Sequence, residues 1–400
     1  MTMDVVFRRN RNTFLETYSG VKTRCSMSLK SAFFVLLVFL KLNGINCVPK
    51  QNRKEKKFCT NLIWNVVAGA NHISAALYLY LKLITFLFDS NVQNVSGLVH
   101  AALYFLYRIC IFKRKGIIFE TIEKLEVNSD AFLKLKTIVK IRDYNVTFCI
   151  VQVACIIFLT YINFESYRFN RVCDWLKQMR VQSVSTEECP TWLMDVVYAI
   201  DICGYYSFHM VFGFFSIIYS GFCFSLQQFL KNLQARLKKA IKEDDIARVF
   251  QSYDEVLQVI EFIEDAYCVP VFISTIICMV ALFRAGYYYS FRKSSSFSFY
   301  ALCLAYSAYN LCVFLILITV ASKVNRIATQ NRSLVKSLER RYITGKKSEF
   351  LEQYLNINRK VLFSLGNTYI INQSLIWTAI GTVFSYGIII GTLGSVNSWT

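Results

Sequence analysis

Ionisable and hydroxyl-bearing side chains recur inside the long apolar stretches of this sequence. Asp201 and His209 lie in one such stretch, and Arg284 lies in another. A charged group within an apolar segment costs free energy, so it usually forms an ion pair or takes part in function. Nearby tyrosines add hydroxyl groups and aromatic faces that suit small organic molecules. The candidate ligand-binding residues are His100, Tyr104, Tyr161, Tyr198, Asp201, Tyr205, His209, Arg284 and Tyr309.

Two other interpretations of these residues stay open. Asp201 and Arg284 could simply form an ion pair with each other. Tyrosines near a membrane interface, such as Tyr287–Tyr289, are common membrane anchors. Helical periodicity favours a shared polar face for four of the candidates, because they fall within about 80° of one another around a helix. These four are Tyr198, Asp201, Tyr205 and His209.

A second set of candidates lies in the last apolar stretch, Thr368 to Leu393, which carries no charge. Its hydroxyl residues fall on one side of an ideal helix, within roughly 80°. Gly387 and Gly391 lie on the other side, where a glycine pair lets a neighbouring helix approach closely. Such a helix can border water, although its hydroxyls can also bond their own backbone carbonyls. The candidate pore residues are Thr378, Thr382, Ser385, Ile389, Thr392 and Leu393.

The composition indicates the structure that must position these residues. Of 400 residues, 55% are hydrophobic and 16% aromatic, and only three are proline. Apolar runs of this length predict a polytopic membrane protein, and helices satisfy their own backbone groups in lipid. The fold class predicted is therefore all-α, with seven transmembrane helices. The predicted segments are Asn61–Phe88, Val95–Phe112, Ile141–Phe164, Thr191–Phe224, Tyr267–Tyr289, Phe299–Ser322 and Thr368–Leu393.

The distribution of positive charge predicts the orientation. Alternate loops hold 36 of the 45 Lys and Arg residues, and the other loops hold six. Because cytoplasmic loops are enriched in Lys and Arg, the N-terminus is expected in the cytoplasm and the C-terminus outside. The net charge of +19 is thus explained by topology and attraction to membrane lipid, and it does not point to nucleic acid.

The segment boundaries divide the chain into regions with different expected roles. Residues 31–48 are apolar but interrupted by Lys41, Asn43 and Asn46, so we expect a membrane-surface or re-entrant element. The regions are a cytoplasmic N-terminal segment (1–60), six transmembrane helices forming a ligand-binding bundle (61–322), cytoplasmic anchor helices (323–367), a pore-lining seventh helix (368–393) and an extracellular tail (394–400).

Two cytoplasmic stretches, Gln227–Ala266 and Lys323–Leu365, show amphipathic helical periodicity. Each is expected to form a hairpin, with turns near Glu243–Asp245 and near Gly345. Because their apolar stripes must pack against other apolar surfaces, we expect these stretches to form a contact region between subunits beneath the membrane. An independent cytoplasmic docking platform is the alternative.

The stretch from Ser385 to Leu393 resembles the C-terminal signature of insect gustatory receptors, which is Thr-Tyr, five mostly apolar residues and Gln-Phe. Here Ser385 replaces the Thr, Tyr386 is kept, and Thr392 and Leu393 stand at the Gln and Phe positions. The resemblance implies a tetrameric ligand-gated cation channel whose last helix lines the pore, with tastants bound in an outer pocket and cytoplasmic extensions joining four subunits. The partners implied are a small-molecule tastant, cations, membrane lipid and other receptor subunits in a homo- or heterotetramer.

Other classes of function find less support in the sequence. Phosphate-binding loops, hydrolase motifs and metal-ligand spacings are absent, so we expect no enzyme activity, cofactor or metal. A metabotropic seven-helix receptor would need the opposite orientation. A secondary transporter would show internal repeats and broken helices. Cys173 and Cys189 flank a predicted outside loop and could pair, and Asn94 begins a glycosylation sequon close to the membrane.

Overall fold

A computed structural model describes residues 28–47, 58–88, 92–167, 191–239, 243–291, 297–343, 362–383 and 385. Within these ranges the chain is almost entirely helical, which agrees with the all-α class predicted from the sequence. The helices are α1 (Leu29–Leu42), α2 (Phe58–Phe88), α3 (Val92–Lys113), α4 (Lys115–Phe132), α5 (Leu135–Tyr167), α6 (Thr191–Lys239), α7 (Glu243–Phe291), α8 (Phe297–Ile343) and α9 (Ser374–Val383). The strands are β1 (Ser364–Leu365) and β2 (Tyr369–Ile370).

Five of the described helices, α3 and α5 to α8, are long and apolar enough to cross a membrane. They contain the second to sixth segments predicted from the sequence. The first predicted segment, Asn61–Phe88, lies within α2 but is not among these five. The described part of the last predicted segment contains only the ten-residue helix α9.

Ser28 is the N-cap of the short helix α1, and its side chain accepts a hydrogen bond from the Lys30 amide. One of its faces is fully buried, at positions that include Phe33, Leu36 and Leu40. Its 14 residues span about 21 Å, less than the ~30 Å hydrocarbon core of a bilayer. A surface or re-entrant placement stays a prediction.

Helix α6 is the central element of the bundle, because it contacts α1 to α5 as well as α7 and α8. In its most apolar stretch 94% of the residues are buried, against 28–56% in the other four candidate spans. Its largest fully buried side chains include Phe208, Phe212, Phe215 and Phe222. The surrounding helices therefore keep much of their apolar surface free for lipid or for other subunits.

Helices α6 and α7 have 49 residues each, and α8 has 47. At 1.5 Å per residue each is about 70 Å long, more than twice the thickness of a hydrocarbon core. The stretch Gln227–Ala266 is helical as expected, but it continues α6 and α7 instead of forming a separate hairpin. Helix α6 ends at Lys239 and α7 begins at Glu243, so Glu243–Asp245, near which the turn was expected, already belong to α7. The second expected turn, near Gly345, lies outside the described residues.

A β-hairpin precedes the last helix, which corrects the expected helix start at Thr368. Ser364 pairs with Ile370 across the hairpin. Gly366 and Asn367 have φ values of 57° and 61°, the left-handed conformation that tight hairpin turns require. Helix α9 then begins at Ser374, where the Asn372 side chain accepts a hydrogen bond from the Leu375 amide at 3.1 Å.

Candidate functional site

Seven residues from α3, α6, α7 and α8 are connected by hydrogen bonds and ring contacts, and we call them the polar cluster. Its core is His209, whose ring stacks on Tyr205 at 3.9 Å between centroids. Nδ1 of His209 lies 2.8 Å from the Tyr205 carbonyl. Because a carbonyl only accepts, Nδ1 carries a proton, and in the neutral ring Nε2 accepts from the Tyr104 hydroxyl at 3.2 Å. The members are His100, Tyr104, Tyr205, His209, Arg284, Tyr306 and Tyr309.

Arg284 on α7 donates from Nη1 to Nδ1 of His100 at 3.1 Å. Arginine has no acceptor, so Nδ1 of His100 is unprotonated and the ring proton lies on Nε2. This Nε2 is 3.0 Å from the Tyr306 hydroxyl. Nη2 of Arg284 donates to the Tyr288 hydroxyl at 3.3 Å, and the guanidinium lies 5.6 Å from the centre of that ring. Tyr288 is buried, so at this position the simple membrane-anchor interpretation does not hold.

The other end of the polar cluster depends on Gln152 of α5. Its amide nitrogen donates to the Tyr309 hydroxyl at 2.9 Å and to the His209 carbonyl at 3.2 Å. Gly213 makes this possible, because a Cβ at that position would lie 1.8 Å from the same amide nitrogen. The absence of a side chain at Gly213 therefore allows Gln152 to lie against α6.

Asp201 forms an ion pair with Lys82 of α2, at 2.7 Å. The alternative in which Asp201 pairs with Arg284 is therefore wrong. Tyr161 is 63% exposed on α5 and does not join the cluster. Tyr198 is on α6, one turn before Asp201, and is partly buried. The structure thus brings together six of the nine predicted ligand-binding residues and leaves Tyr161, Tyr198 and Asp201 outside that network.

Sequence reasoning missed the contributions of Gln152, Tyr306 and Lys82. A lysine within an apolar segment is itself a signal, since such a charge needs a partner. Tyr306 stands three residues before Tyr309, on the same side of its helix, and the sequence therefore offered a signal for it as well. The role of Gln152 depends on its approach to Gly213 on another helix, which a single sequence does not show.

A second buried arginine, Arg108 on α3, lies outside the polar cluster. It is 2% exposed, and each of its three nitrogens donates a hydrogen bond. Nη1 bonds the Ser207 hydroxyl at 2.6 Å, Nη2 bonds the Asn43 carbonyl at 2.9 Å, and Nε bonds Nδ1 of His72 at 3.3 Å. These contacts join the end of α1 to α2, α3 and α6, so Arg108 has a structural role.

The hairpin before α9 is held by one side chain of α8. Asn325 donates to the carbonyls of Phe363 and Ile371, at 2.9 and 2.8 Å, and accepts from the Phe363 amide at 2.8 Å. On α7, Glu264 accepts from both the amide and the hydroxyl of Ser364. The start of the last helix is thus attached to α7 and α8 together.

The predicted pore residues are partly described. Thr378 and Thr382 bond the backbone carbonyls four residues earlier, at 3.1 and 2.8 Å. Thr378 and Ser385 are exposed, whereas Ala379 packs against the core. Thr382 is partly buried, and Trp377 and Ile380 are exposed as well, so several sides of α9 lie away from the core of its own subunit. Ile389, Thr392 and Leu393 lie outside the described residues, as do Cys173 and Cys189.

Among the described residues, no three His, Cys, Asp or Glu side chains come together as a metal site would require. The polar cluster instead offers hydroxyl groups, aromatic faces and one guanidinium, which are groups that bind organic molecules.

Neither a protein-family model nor a curated protein matches this sequence. Solved structures do match the fold. The insect olfactory receptor OR5 from Machilis hrabei matches with a TM-score of 0.66 and 10% identity, over 90% of this chain and 98% of that receptor. The chain has the insect olfactory receptor fold. The structure of the same receptor in complex with eugenol matches with a TM-score of 0.61 and 10% identity, over 91% of this chain and 98% of the receptor.

The match agrees, at the level of fold, with the fold that the resemblance of the C-terminal motif implies. Together with the five candidate spans, it identifies a multi-pass membrane protein. The orientation of the two termini stays a prediction from the charge distribution.

Proposed function

We propose that this chain is a subunit of a gustatory-type chemoreceptor that acts as a ligand-gated, non-selective cation channel. The main support is the insect olfactory receptor fold over 90% of the chain, since one structure with this fold is a complex with the small organic molecule eugenol. The channel mechanism and the choice of tastants as ligands follow from the resemblance of Ser385–Leu393 to gustatory receptors.

The polar cluster is the proposed ligand site. It combines aromatic faces, from Tyr104, Tyr205 and Tyr306, with hydrogen-bonding groups that fix the orientation of a ligand. The Tyr205 hydroxyl is buried and has no hydrogen-bond partner among the described residues. A buried hydroxyl without a partner costs free energy, so a ligand that bonds it gains affinity. His100 and His209 hold the surrounding side chains in place.

The proposed gate is the last helix, with Thr378, Thr382, Ser385, Ile389, Thr392 and Leu393 toward a central pore between four subunits, in membrane lipid. Their hydroxyl groups would help a hydrated cation to pass, and Leu393 would form an apolar constriction. A ligand opens such a channel only if it binds the open state more tightly than the closed state. The extended parts of α6, α7 and α8 are the proposed contact surface between identical or different subunits.

The direct test is electrical recording from the purified full-length chain in giant liposomes during perfusion with a panel of tastants and odorants. We expect at least one compound to evoke cation currents. Replacing Tyr104 with Ala removes an aromatic face and a hydrogen bond from the polar cluster, and it should weaken the response to that compound about tenfold or more. A chain that conducts no ions with any compound, alone or with other receptor subunits, contradicts the channel proposal.

Cysteine substitution along α9 tests the pore face separately. In Thr378→Cys and Thr382→Cys, a positively charged thiol reagent should reduce the evoked current, because the modified side chains would lie in the path of the cations. Ile380→Cys is the matched control, since Ile380 is exposed on another side of the same helix. Equal inhibition of all three variants argues against the hydroxyl stripe as the pore lining.

The metabotropic alternative is distinguished by the position of the N-terminus. An epitope tag placed before Met1 should be inaccessible to antibody in intact cells and accessible after permeabilisation. Staining of intact cells would favour the metabotropic class. A transporter, in turn, would accumulate labelled substrate in liposomes without a sustained current.

A further inference from the structure

We infer that the polar cluster binds small organic acids as carboxylates, with Arg284 as their counter-charge. This inference rests on the proposed function, because it specifies the class of ligand for the same site. It starts from the guanidinium of Arg284, which has two partners, the neutral Nδ1 of His100 and the Tyr288 hydroxyl. Its Nε is buried and has no partner among the described residues. Part of the side chain remains accessible.

The other charges close to the polar cluster are already paired. Lys82 and Asp201 form an ion pair at 2.7 Å, and both side chains are mostly buried, at 22% and 13% exposure. Arg284 has no carboxylate within ion-pair distance among the described residues. A cation in a low-dielectric site without an anion is costly, and an anionic ligand would supply the missing charge.

Arg108 shows that this bundle can satisfy a buried arginine without a carboxylate. It does so through a hydroxyl group, a backbone carbonyl and an imidazole, so that every nitrogen has an acceptor. Arg284 lacks such an acceptor at Nε. The incomplete pairing of Arg284 thus coincides with a position beside the aromatic rings of the polar cluster.

The free edge of Arg284 has the geometry that a carboxylate requires. Nε and the adjacent Nη2 point their N–H groups in parallel, and a carboxylate accepts both in a bidentate pair. The bond from Nη2 to Tyr288 is long, at 3.3 Å, and Nη2 carries a second hydrogen. On the adjacent helix, Gly97 leaves space beside this nitrogen, because a Cβ there would lie 3.9 Å from Nη2.

The remainder of the site suits the organic part of such an acid. Tyr306 connects the two parts of the site. Its hydroxyl lies 3.0 Å from Nε2 of His100, the partner of Arg284, and its ring centroid lies 5.7 Å from that of His209, which stacks on Tyr205. Tyr104 and Phe208 stack beside them, with ring centroids 5.7 Å apart. An aromatic or short aliphatic acid can place its carboxylate at Arg284 and its apolar part against these rings.

The test compares acids with amides of the same shape. The purified full-length chain in a maltoside detergent, which contains no phosphate, is heated with benzoate, phenylacetate or hexanoate, or with the corresponding primary amide. We expect at least one acid to raise the melting temperature more than its amide. Arg284→Gln should lower the apparent affinity for that acid about tenfold or more, since it removes a charge-assisted bidentate pair. Affinity for the amide should change little.

Two further variants separate specific binding from general attraction to a chain with a net charge of +19. Arg142→Gln removes an exposed arginine that already pairs with Asp143, and it should leave the preference for the acid unchanged. Arg284→Lys keeps the positive charge but loses the two parallel N–H groups, so it should retain a weaker preference for the acid over the amide. The same variant tests the inference if Arg284→Gln fails to fold.

The inference is overturned if no acid stabilises the wild-type chain more than its amide, or if the preference survives Arg284→Gln. A preference lost equally in Arg142→Gln would also overturn it, because the attraction would then be non-specific. The channel proposal has an independent test. A receptor that conducts ions in response to neutral compounds only would overturn the acid specificity and leave the channel function in place.

Discussion

Arg108 and Arg284, both inside the helical bundle, differ in how completely their nitrogens are paired. Arg108 is 2% exposed and donates from all three nitrogens to groups on three other parts of the chain. Arg284 leaves Nε without an acceptor among the described residues. Complete pairing fixes helices relative to one another, whereas the incomplete pairing beside aromatic rings is the basis for the ligand site that we propose. The degree of pairing thus distinguishes the structural role of Arg108 from the proposed ligand-binding role of Arg284. Burial and residue type alone would not distinguish them.

The largest expected effect follows from replacing Arg108 with Met. The Ser207 hydroxyl, the Asn43 carbonyl and the His72 ring would each lose a donor, and buried groups without partners cost about 1–3 kcal/mol each. We expect the free energy of unfolding to fall by about 3 kcal/mol or more, measured as thermal loss of monodisperse protein in detergent. Arg284→Met should cost less than half as much. Equal losses in the two variants would remove the distinction between the two sites.

Asn325 extends the comparison to a neutral side chain that is also completely paired. Asn325→Leu keeps the volume but leaves the Phe363 amide and the Ile371 carbonyl without the partner that Asn325 supplies. The Phe363 carbonyl loses one donor and still accepts from the Ile371 amide at 3.0 Å. The expected cost is about 2 kcal/mol. Hydrogen exchange over residues 362–371 should show the loss locally. The control is Asn331→Leu, because Asn331 makes one such bond, at 2.8 Å to the Leu230 carbonyl, and it should cost about 1 kcal/mol. Unchanged exchange in the hairpin would contradict its dependence on Asn325.

Gly213→Ala tests whether paired hydrogen-bonding groups also stabilise the end of the polar cluster that contains Gln152. The new Cβ would displace the Gln152 amide and break its bonds to Tyr309 and to the His209 carbonyl. We expect a loss of about 1–2 kcal/mol in thermal unfolding. The double variant Gly213→Ala/Gln152→Ala relieves the clash and should recover part of that loss. If the double variant is less stable than Gly213→Ala, the clash is not the cause.

The smallest effect is expected for Tyr205→Phe. Its hydroxyl group has no partner among the described residues, so removing it should change the free energy of unfolding by about 0.5 kcal/mol at most. Tyr104→Phe is the matched change. It removes the hydrogen bond to Nε2 of His209 and should cost about 1 kcal/mol. A large loss in Tyr205→Phe would show that its hydroxyl group is engaged in the native protein.

The helical architecture was predictable from the sequence because apolar runs of membrane length admit few other structures. The polar face of α6 was also predictable, since Tyr205 and His209 stand at helical spacing. The ion pair between Lys82 and Asp201 was not, because the choice of partner depends on which helices become neighbours. Gly366-Asn367 carried a recognisable turn signal, and the predicted boundary between the anchor region and the last helix falls directly after it, but the apolar residues from Thr368 onward favoured a helix over a strand.

Helix α7 contains both Glu264, which holds Ser364 at the hairpin, and Arg284 in the polar cluster. The two positions are 20 residues apart in one helix, about 30 Å along its axis. Pro270 lies between them and lacks the amide that would complete the backbone ladder. The backbone ladder of α7 therefore lacks one bond near the middle of the helix, between the two positions. Because one continuous helix joins them, a displacement of α7 at Arg284 would reach the attachment of the last helix through the backbone.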